Sequence, residues 1–325
     1  MGDPTLLTSL EARIMGKIRA FWMAAIVSLL TAMCVPSAVR AQSEAPTGIV
    51  EGADPLLTPE DTYETAYTLA MGAGARAGAT GTSALAYNTS NMAATPGYHV
   101  EAFSQIIPGD NTYWTMGSAI ADSTTSQKFA LGTSFRGIFS GTDRRYSGWD
   151  WRSGFAIQAI EQLGVGLGVR WGRMNTNRVD GQRVGPSFDG ITLDASVTIT
   201  PIPWLKVAGL GYNLIKTHST LAPQMAGGSA NLAPIESLSF GGDILVDLST
   251  FEKNELLAGA GFQFIAGEMV PLRIGYRRDS GRNFNQITAG AGFNKGKFGI
   301  EASVRQTLGS EKETYLIIQT RFAVK

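Results

Sequence analysis

One cysteine, Cys34, and two histidines, His99 and His218, are all that this 325-residue chain offers in thiol and imidazole groups. Disulfide frameworks need pairs and Cys/His zinc sites need four such donors, so both are excluded. Charge is also scarce. Asp, Glu, Lys and Arg make up 17% of the residues, and 27 basic side chains balance 27 acidic ones. The basic excess that nucleic-acid binding draws on is missing, and no nucleic-acid partner is expected. At 44% hydrophobic residues the chain is too apolar to stay disordered. A single long apolar run, Ala20 to Val35, has sixteen residues, short of the ~20 that a membrane-spanning helix needs.

That run has a different meaning. Lys17 and Arg19 precede it, Pro36 ends it, and the small-residue pattern Ala38-Val39-Arg40-Ala41 follows. Basic lead, short apolar core and small-residue end are the marks of a cleaved secretory signal. Residues 1–41 are read as that signal, with Met15 an alternative start because Asp3 and Glu11 are out of place ahead of such a core. Residues 42–96 then divide into a polar lead-in, a short helix and a small-residue segment. Thr58-Pro59-Glu60-Asp61 has an N-cap threonine, a proline at the first helical position and acids in the first turn. Tyr63, Tyr67 and Met71 share one face of a helix that ends near Met71. From Gly72 to Pro96 the residues are small, and Arg76 is the only charge.

Glycine is plentiful instead, with 39 residues, and it falls in a pattern. From Gly97 to the C-terminus apolar residues alternate with Gly, Ser, Thr or a charge. Val165, Leu167, Val169 and Trp171 alternate with Gly164, Gly166, Gly168 and Arg170, and Phe298, Ile300, Ala302 and Val304 with Gly299, Glu301, Ser303 and Arg305. Period two over ~10-residue segments in an exported chain predicts an all-β fold: a transmembrane up-and-down antiparallel barrel over 97–325, apolar face to lipid and polar face to the lumen. Short connections alternate with longer ones at 174–187, 216–234, 279–283 and 306–313. A direct count gives thirteen strands, and barrels of this kind are even-numbered. A turn at Gly241-Gly242-Asp243 would make fourteen, with twelve as the fallback. The expected location is the bacterial outer membrane, in contact with its lipid, with both termini periplasmic. A secreted soluble β-sandwich would show the same alternation and is the second alternative.

Segments 193–216, 244–264 and 270–294 resemble the repeating hairpins of the FadL/PorV outer-membrane superfamily. Gly74-Ala75-Arg76-Ala77 and the later run Ala86-Tyr87-Asn88-Thr89-Ser90-Asn91-Met92-Ala93 are similar to that family's N-terminal hatch, with Asn88-Thr89-Ser90 where the family usually has Asn-Pro-Ala. The resemblance implies a hatch-bearing passive channel for small hydrophobic compounds, with Arg76, Tyr87 and Asn88 in the hatch. Its secretion-associated branch implies the alternative, a scaffold that binds a secretion or surface partner.

No catalytic constellation is present and no enzyme, cofactor or metal is expected. His99 and His218 have no second ligand near them in sequence, and Gly164-Val165-Gly166-Leu167-Gly168 alternates within a strand, so it is no dinucleotide loop. Strand parity turns Arg136, Arg152, Arg170, Asp194, Asp243, Asp247, Arg273, Arg277, Glu301, Arg305 and Arg321 inward. Mixed charges in a narrow interior imply pairing, and Arg76 is expected to pair with Asp243 or Asp247. Trp149, Trp151, Trp171, Trp204, Tyr212 and Tyr276 fall near strand ends and read as an interfacial girdle rather than as stacking surfaces for a ligand.

Overall fold

The computed structural model describes residues 64–324 except 109–112, 127, 141–145, 177, 180, 181, 184–186, 218, 252 and 310–312. The expected signal over 1–41, the lead-in, the Thr58 helix start, Tyr63 and His218 lie outside the described residues.

The strands are β1 (Tyr98–Ile107), β2 (Tyr113–Asp122), β3 (Phe129–Ser140), β4 (Tyr146–Ile160), β5 (Leu163–Thr176), β6 (Arg178–Val179), β7 (Gln182–Arg183), β8 (Ser187–Ile202), β9 (Leu205–Tyr212), β10 (Met225–Ile235), β11 (Leu238–Asp247), β12 (Glu255–Ala266), β13 (Val270–Asp279), β14 (Phe284–Lys295), β15 (Phe298–Leu308) and β16 (Thr314–Val324). β6 and β7 form a separate ribbon. The other fourteen make a closed antiparallel barrel, sealed where β1 pairs with β16 from Tyr98 opposite Val324 to Ile106 opposite Leu316. Closure removes every sheet edge, which a sheet in lipid requires. At one end, the turn end, the connections are residues 161–162, 203–204, 236–237, 267–269, 296–297 and the longer 123–128, and β1 starts and β16 finishes there. The other connections gather at the opposite loop end.

The apolar residues of the alternating pattern lie outside. Leu131 is 61% exposed, Ile274 60% and Leu167 59%. A sandwich would cover that face with a second sheet; here the sheet closes on itself, which corrects the sandwich alternative. Among the described residues no helix is long and apolar enough to cross a membrane. The outer face of the strands has the character that lipid demands.

The fourteenth strand is not where the glycine pair placed it. Gly241, Gly242 and Asp243 sit mid-strand in unbroken β11, in register with both neighbours. The missing strand is β10, inside the stretch read as an exterior loop over 216–234. Its outward positions include Ala226, Gly228 and Ala230, too small to display the alternation.

Residues 64–96 fold inside the barrel as α1 (Ala66–Ala70), a 3-10 turn (Arg76–Gly78), α2 (Gly81–Tyr87) and a second 3-10 turn (Thr89–Ala94). The short α1 is stabilised by its surroundings rather than by propensity. Thr65 caps it by accepting from the Thr68 N–H, the Thr68 hydroxyl accepts in turn from the Thr65 N–H, and Ala66, Leu69 and Ala70 are fully buried.

Candidate functional site

The inner segment follows the wall strand by strand. The Ala66 N–H donates to Gln319 Oε1 on β16, and the Ala66 carbonyl accepts from Ser303 on β15. The Ala70 carbonyl accepts from Thr288 on β14. Arg76 reaches Asp243 on β11, and the Ala77 N–H donates to Ser229 on β10. Asn88 donates to Thr198, and the Ser90 N–H to Ser196, both on β8. Between these contacts Thr82 donates to Glu101 on β1, on the other side of the barrel from β10. Wall hydroxyls and amides thus satisfy backbone groups that a buried loop would leave unpaired.

Glycine makes this close approach feasible. Gly275, Gly261 and Gly241 are direct cross-strand partners on β13, β12 and β11. A Cβ on Gly275 or Gly261 would run into the backbone of Met71 and Gly72, and one on Gly241 into the Gly74 carbonyl. On another sector Gly132, Gly154 and Gly168 line up across β3, β4 and β5. There a Cβ on Gly154 would stand 2.6 Å from Thr89 Cγ2 and 2.7 Å from Leu85 Cδ1. The glycine-rich inner face is the seat of the inner segment, a use of glycine where backbone approaches backbone.

Charge is arranged around that seat. Arg76 Nη1 lies 2.8 Å from Asp243 Oδ2 and 2.7 Å from the Ala73 carbonyl, and the Arg76 N–H also points at the Asp243 carboxylate. The guanidinium stands over the rings of Tyr87, at 5.1 Å, and Tyr212, at 5.9 Å. Tyr87 is buried, and its carbonyl accepts from the Tyr212 hydroxyl. Asn88 Nδ2 braces the turn by donating to the Arg76 carbonyl at 3.1 Å. Glu301 holds Arg273 through two oxygens, at 2.8 and 3.3 Å, and meets Arg321 at 3.3 Å. Glu64, at the start of the inner segment, lies between Arg305 and Arg277. Asp194 accepts from Arg152 at 3.4 Å and from the Asn213 N–H at 2.8 Å, and Arg152 and Arg170 share Asp150. Asp247 takes another role: it accepts from the Ser249 and Thr250 N–H groups and shapes the connection after β11. Carboxylates and aromatic faces together hold the guanidinium groups, as with Arg273 over Tyr67 and Arg305 over Tyr315.

Tyr212 corrects the girdle assignment. It is 4% exposed and belongs to the lumen, because its register on β9 places it opposite Met225, on the inward face of β10. Trp149, Trp151, Trp171, Trp204 and Tyr276 remain outside, with Trp149 and Trp171 edge to face at 4.9 Å. Three groups at the site went unnoticed in the sequence. Asp150 shares strand parity with Arg152 and was readable from it. Glu64 and Glu101 needed the fold, because nothing local shows which charges they meet.

Between the inner segment and the loop end the lumen turns apolar. Ile107, Ile138, Met174, Phe188, Tyr315 and Ile317 from the wall pack with Ala66 and Leu69 below and with Leu221 and Ala222 from the β9–β10 connection. Lower down, a small polar cavity is bounded by Thr65, Thr82, Glu101, Phe103, Arg136 and Asp150 among others. Among the described residues no group of three His, Cys, Asp or Glu side chains could hold a metal ion.

No family model and no curated protein matches this sequence. Solved structures do match it. The toluene transporter TbuX of Ralstonia pickettii superposes with a TM-score of 0.63 over 81% of this chain and 99% of that one, at 12% identity. The monoaromatic hydrocarbon channel CymD gives 0.56 over 75% of this chain and 92% of that one, at 10% identity. The toluene transporter TodX of Pseudomonas putida gives 0.55 over 84% and 98%, at 12% identity. This chain has their fold. At such identities the likeness extends to the barrel and not to the residues that line it.

Proposed function

We propose that this chain is an outer-membrane channel that lets small hydrophobic compounds through passively, with residues 64–96 acting as a hatch. The observation that carries the reading is the apolar layer above the inner segment. Ile107, Ile138, Met174, Phe188 and Ile317 converge there from five strands, in a lumen whose next inward positions are polar, charged or glycine, as at Gln105, Arg136, Gly172 and Gln319. An apolar chamber within a polar barrel has no structural necessity, since small barrels fill with paired polar groups equally well. TbuX and TodX are described as toluene transporters and CymD as a monoaromatic hydrocarbon channel, which supports a passenger of that size.

In this reading residues 1–41 are removed on export, the turn end and both termini face the periplasm, and the loops face outward. Arg76, Tyr87 and Asn88 hold the hatch closed, and the paired charges Asp194, Asp243, Arg273, Arg277, Glu301, Arg305 and Arg321 stiffen the wall around it. No chemistry is performed on the passenger. Uptake of labelled toluene by cells that lack other apolar channels tests the proposal. Cells carrying the chain should accumulate toluene faster than cells with an empty vector, and equal rates would reject the reading.

A further inference from the structure

The apolar layer above the inner segment includes two residues that belong to no strand. Leu221 and Ala222 are 2% and 1% exposed, and they belong to the connection between β9 and β10. They share one buried apolar cluster with Met174 on β5, Phe188 on β8, and Tyr315 and Ile317 on β16. The stretch Ser219–Gln224 thus brings two buried apolar side chains into the layer above the inner segment. It makes no strand pairing there. Around Leu221 its polar links are internal: Thr217 Oγ1 donates to the Ala222 carbonyl at 2.8 Å, and the Leu221 N–H to Ser219 Oγ at 3.2 Å. Gln224 instead anchors the end of the stretch by donating to Ser249 Oγ at 2.8 Å and to the Leu214 carbonyl at 3.1 Å. Asn213 Nδ2, at the end of β9, donates to the Pro223 carbonyl at 2.7 Å. Leu221 itself is tied to the wall by a long hydrogen bond, from Arg170 Nη1 to its carbonyl at 3.4 Å, and that arginine is already held by Asp150.

We propose that Ser219–Gln224 is a built-in plug, with Leu221 occupying the seat that an apolar passenger takes. The claim deepens the channel reading and rests on it for the identity of the passenger. Physically, the exchange is like for like. Removing Leu221 from its seat exposes apolar wall, and a small hydrocarbon covers the same wall again, so the displacement costs little beyond one stretched hydrogen bond. Without a passenger the wall would be bare, and burial returns Leu221 to it. Entry of the ligand and withdrawal of the plug are then one equilibrium, biased only by what binds the emptied seat.

The test places a single cysteine at Ala222→Cys in a Cys34→Ser background and follows labelling by a membrane-impermeant maleimide on the outer-membrane protein, with toluene as the probe. Labelling should be slow without toluene and about tenfold faster at saturating toluene. Thr220→Cys, half-buried in the same stretch, serves as a second reporter should the first fail to fold. Ala79→Cys, buried in the inner segment, should stay slow throughout. Leu221→Ala should bind toluene about tenfold more tightly, because no side chain has to leave first. A labelling rate that toluene does not change would overturn the plug, as would an equal rise at Ala79→Cys, which reports general loosening. Cellular uptake separates the two claims. Toluene uptake with unchanged labelling retains the channel and rejects the plug, whereas faster labelling without uptake retains the plug and rejects the channel.

Discussion

Arg76 and Asp243 meet 2.8 Å apart with both side chains 1% exposed, one on the inner segment and the other in the middle of β11. Ser229 also donates to the same carboxylate, so the acid is satisfied from the wall and from the segment. Removing one member of such a buried pair leaves a charge in poor solvent and costs ~3–5 kcal/mol, more than removing both. Arg76→Ala should lower the barrel's resistance to heat and raise single-channel conductance in planar bilayers. Asp243→Asn should act alike, and the double variant should lose no more than either single one. Additive losses would show that the pair does not act as a unit.

Glu64 is the carboxylate that Arg277 and Arg305 share. Glu64→Gln keeps its shape and removes the charge, so two buried guanidinium groups lose one partner at once. The variant should unfold at a lower temperature than Arg277→Met does, as followed by the shift of the folded band on heating in detergent. The reverse order would mean that Arg277 matters for reasons other than this acid.

Gly261 and Gly242 lie one residue apart in the pairing of β11 with β12, and they separate seat from strand. A Cβ at Gly261 would meet the Met71 backbone, whereas the nearest atom to one at Gly242 is the Gly259 carbonyl oxygen at 3.9 Å. Gly261→Ala should lose ~1–3 kcal/mol, the usual cost of overpacking a tight site. Gly242→Ala should fold as well as the parent. Protease sensitivity of the inner segment should increase only in the first.

On the outer face, Leu193 and Ile274 are 39% and 60% exposed near the middle of their strands. Arginine at either position should destabilise the protein in a bilayer by ~2–4 kcal/mol, and arginine at Phe298, by the turn end, by ~0–1 kcal/mol of electrostatic cost. Equal losses at all three would mean that this band does not face lipid. Ser303 cannot serve as the comparison, since its hydroxyl donates to the Ala66 carbonyl.

For export, the chain purified from outer membranes should begin at or near Gln42. N-terminal sequencing reads this directly, and a retained Ala20–Val35 run would contradict it.

The barrel was legible because alternation is a direct record of which face each residue takes, and Val165 to Trp171 or Phe298 to Val304 write it without a slip. It failed where side chains were too small to write anything. Met225–Ile235 reads as a loop because Ala226, Gly228 and Ala230 stand where larger outward residues usually do. The Gly241-Gly242 pair imitates a turn, although Gly241 is a place for Gly74 to rest. Parity brought the inward charges within reach, Arg76 included. The choice of Asp243 over Asp247 was not legible, because the height at which the inner segment crosses β11 is set by contacts with Gly259, Gly261 and Gly275. Tyr212 was misplaced for a related reason: position along a strand shows nearness to an end, and only the register shows the side.

The route of residues 64–96 around the wall also governs how they can leave. A cork sitting on a barrel axis is withdrawn whole, breaking all its contacts together. Here Ser303, Thr288, Asp243 and Ser229 hold residues 66–77 at successive points along a belt from β15 to β10. Were it to leave as the proposed hatch, such a belt would peel from one end, each step freeing only the next strand's contacts while the remainder stays fastened. In the proposed channel the aperture would then open as a widening crescent beside those strands, its width set by how many fastenings have come undone.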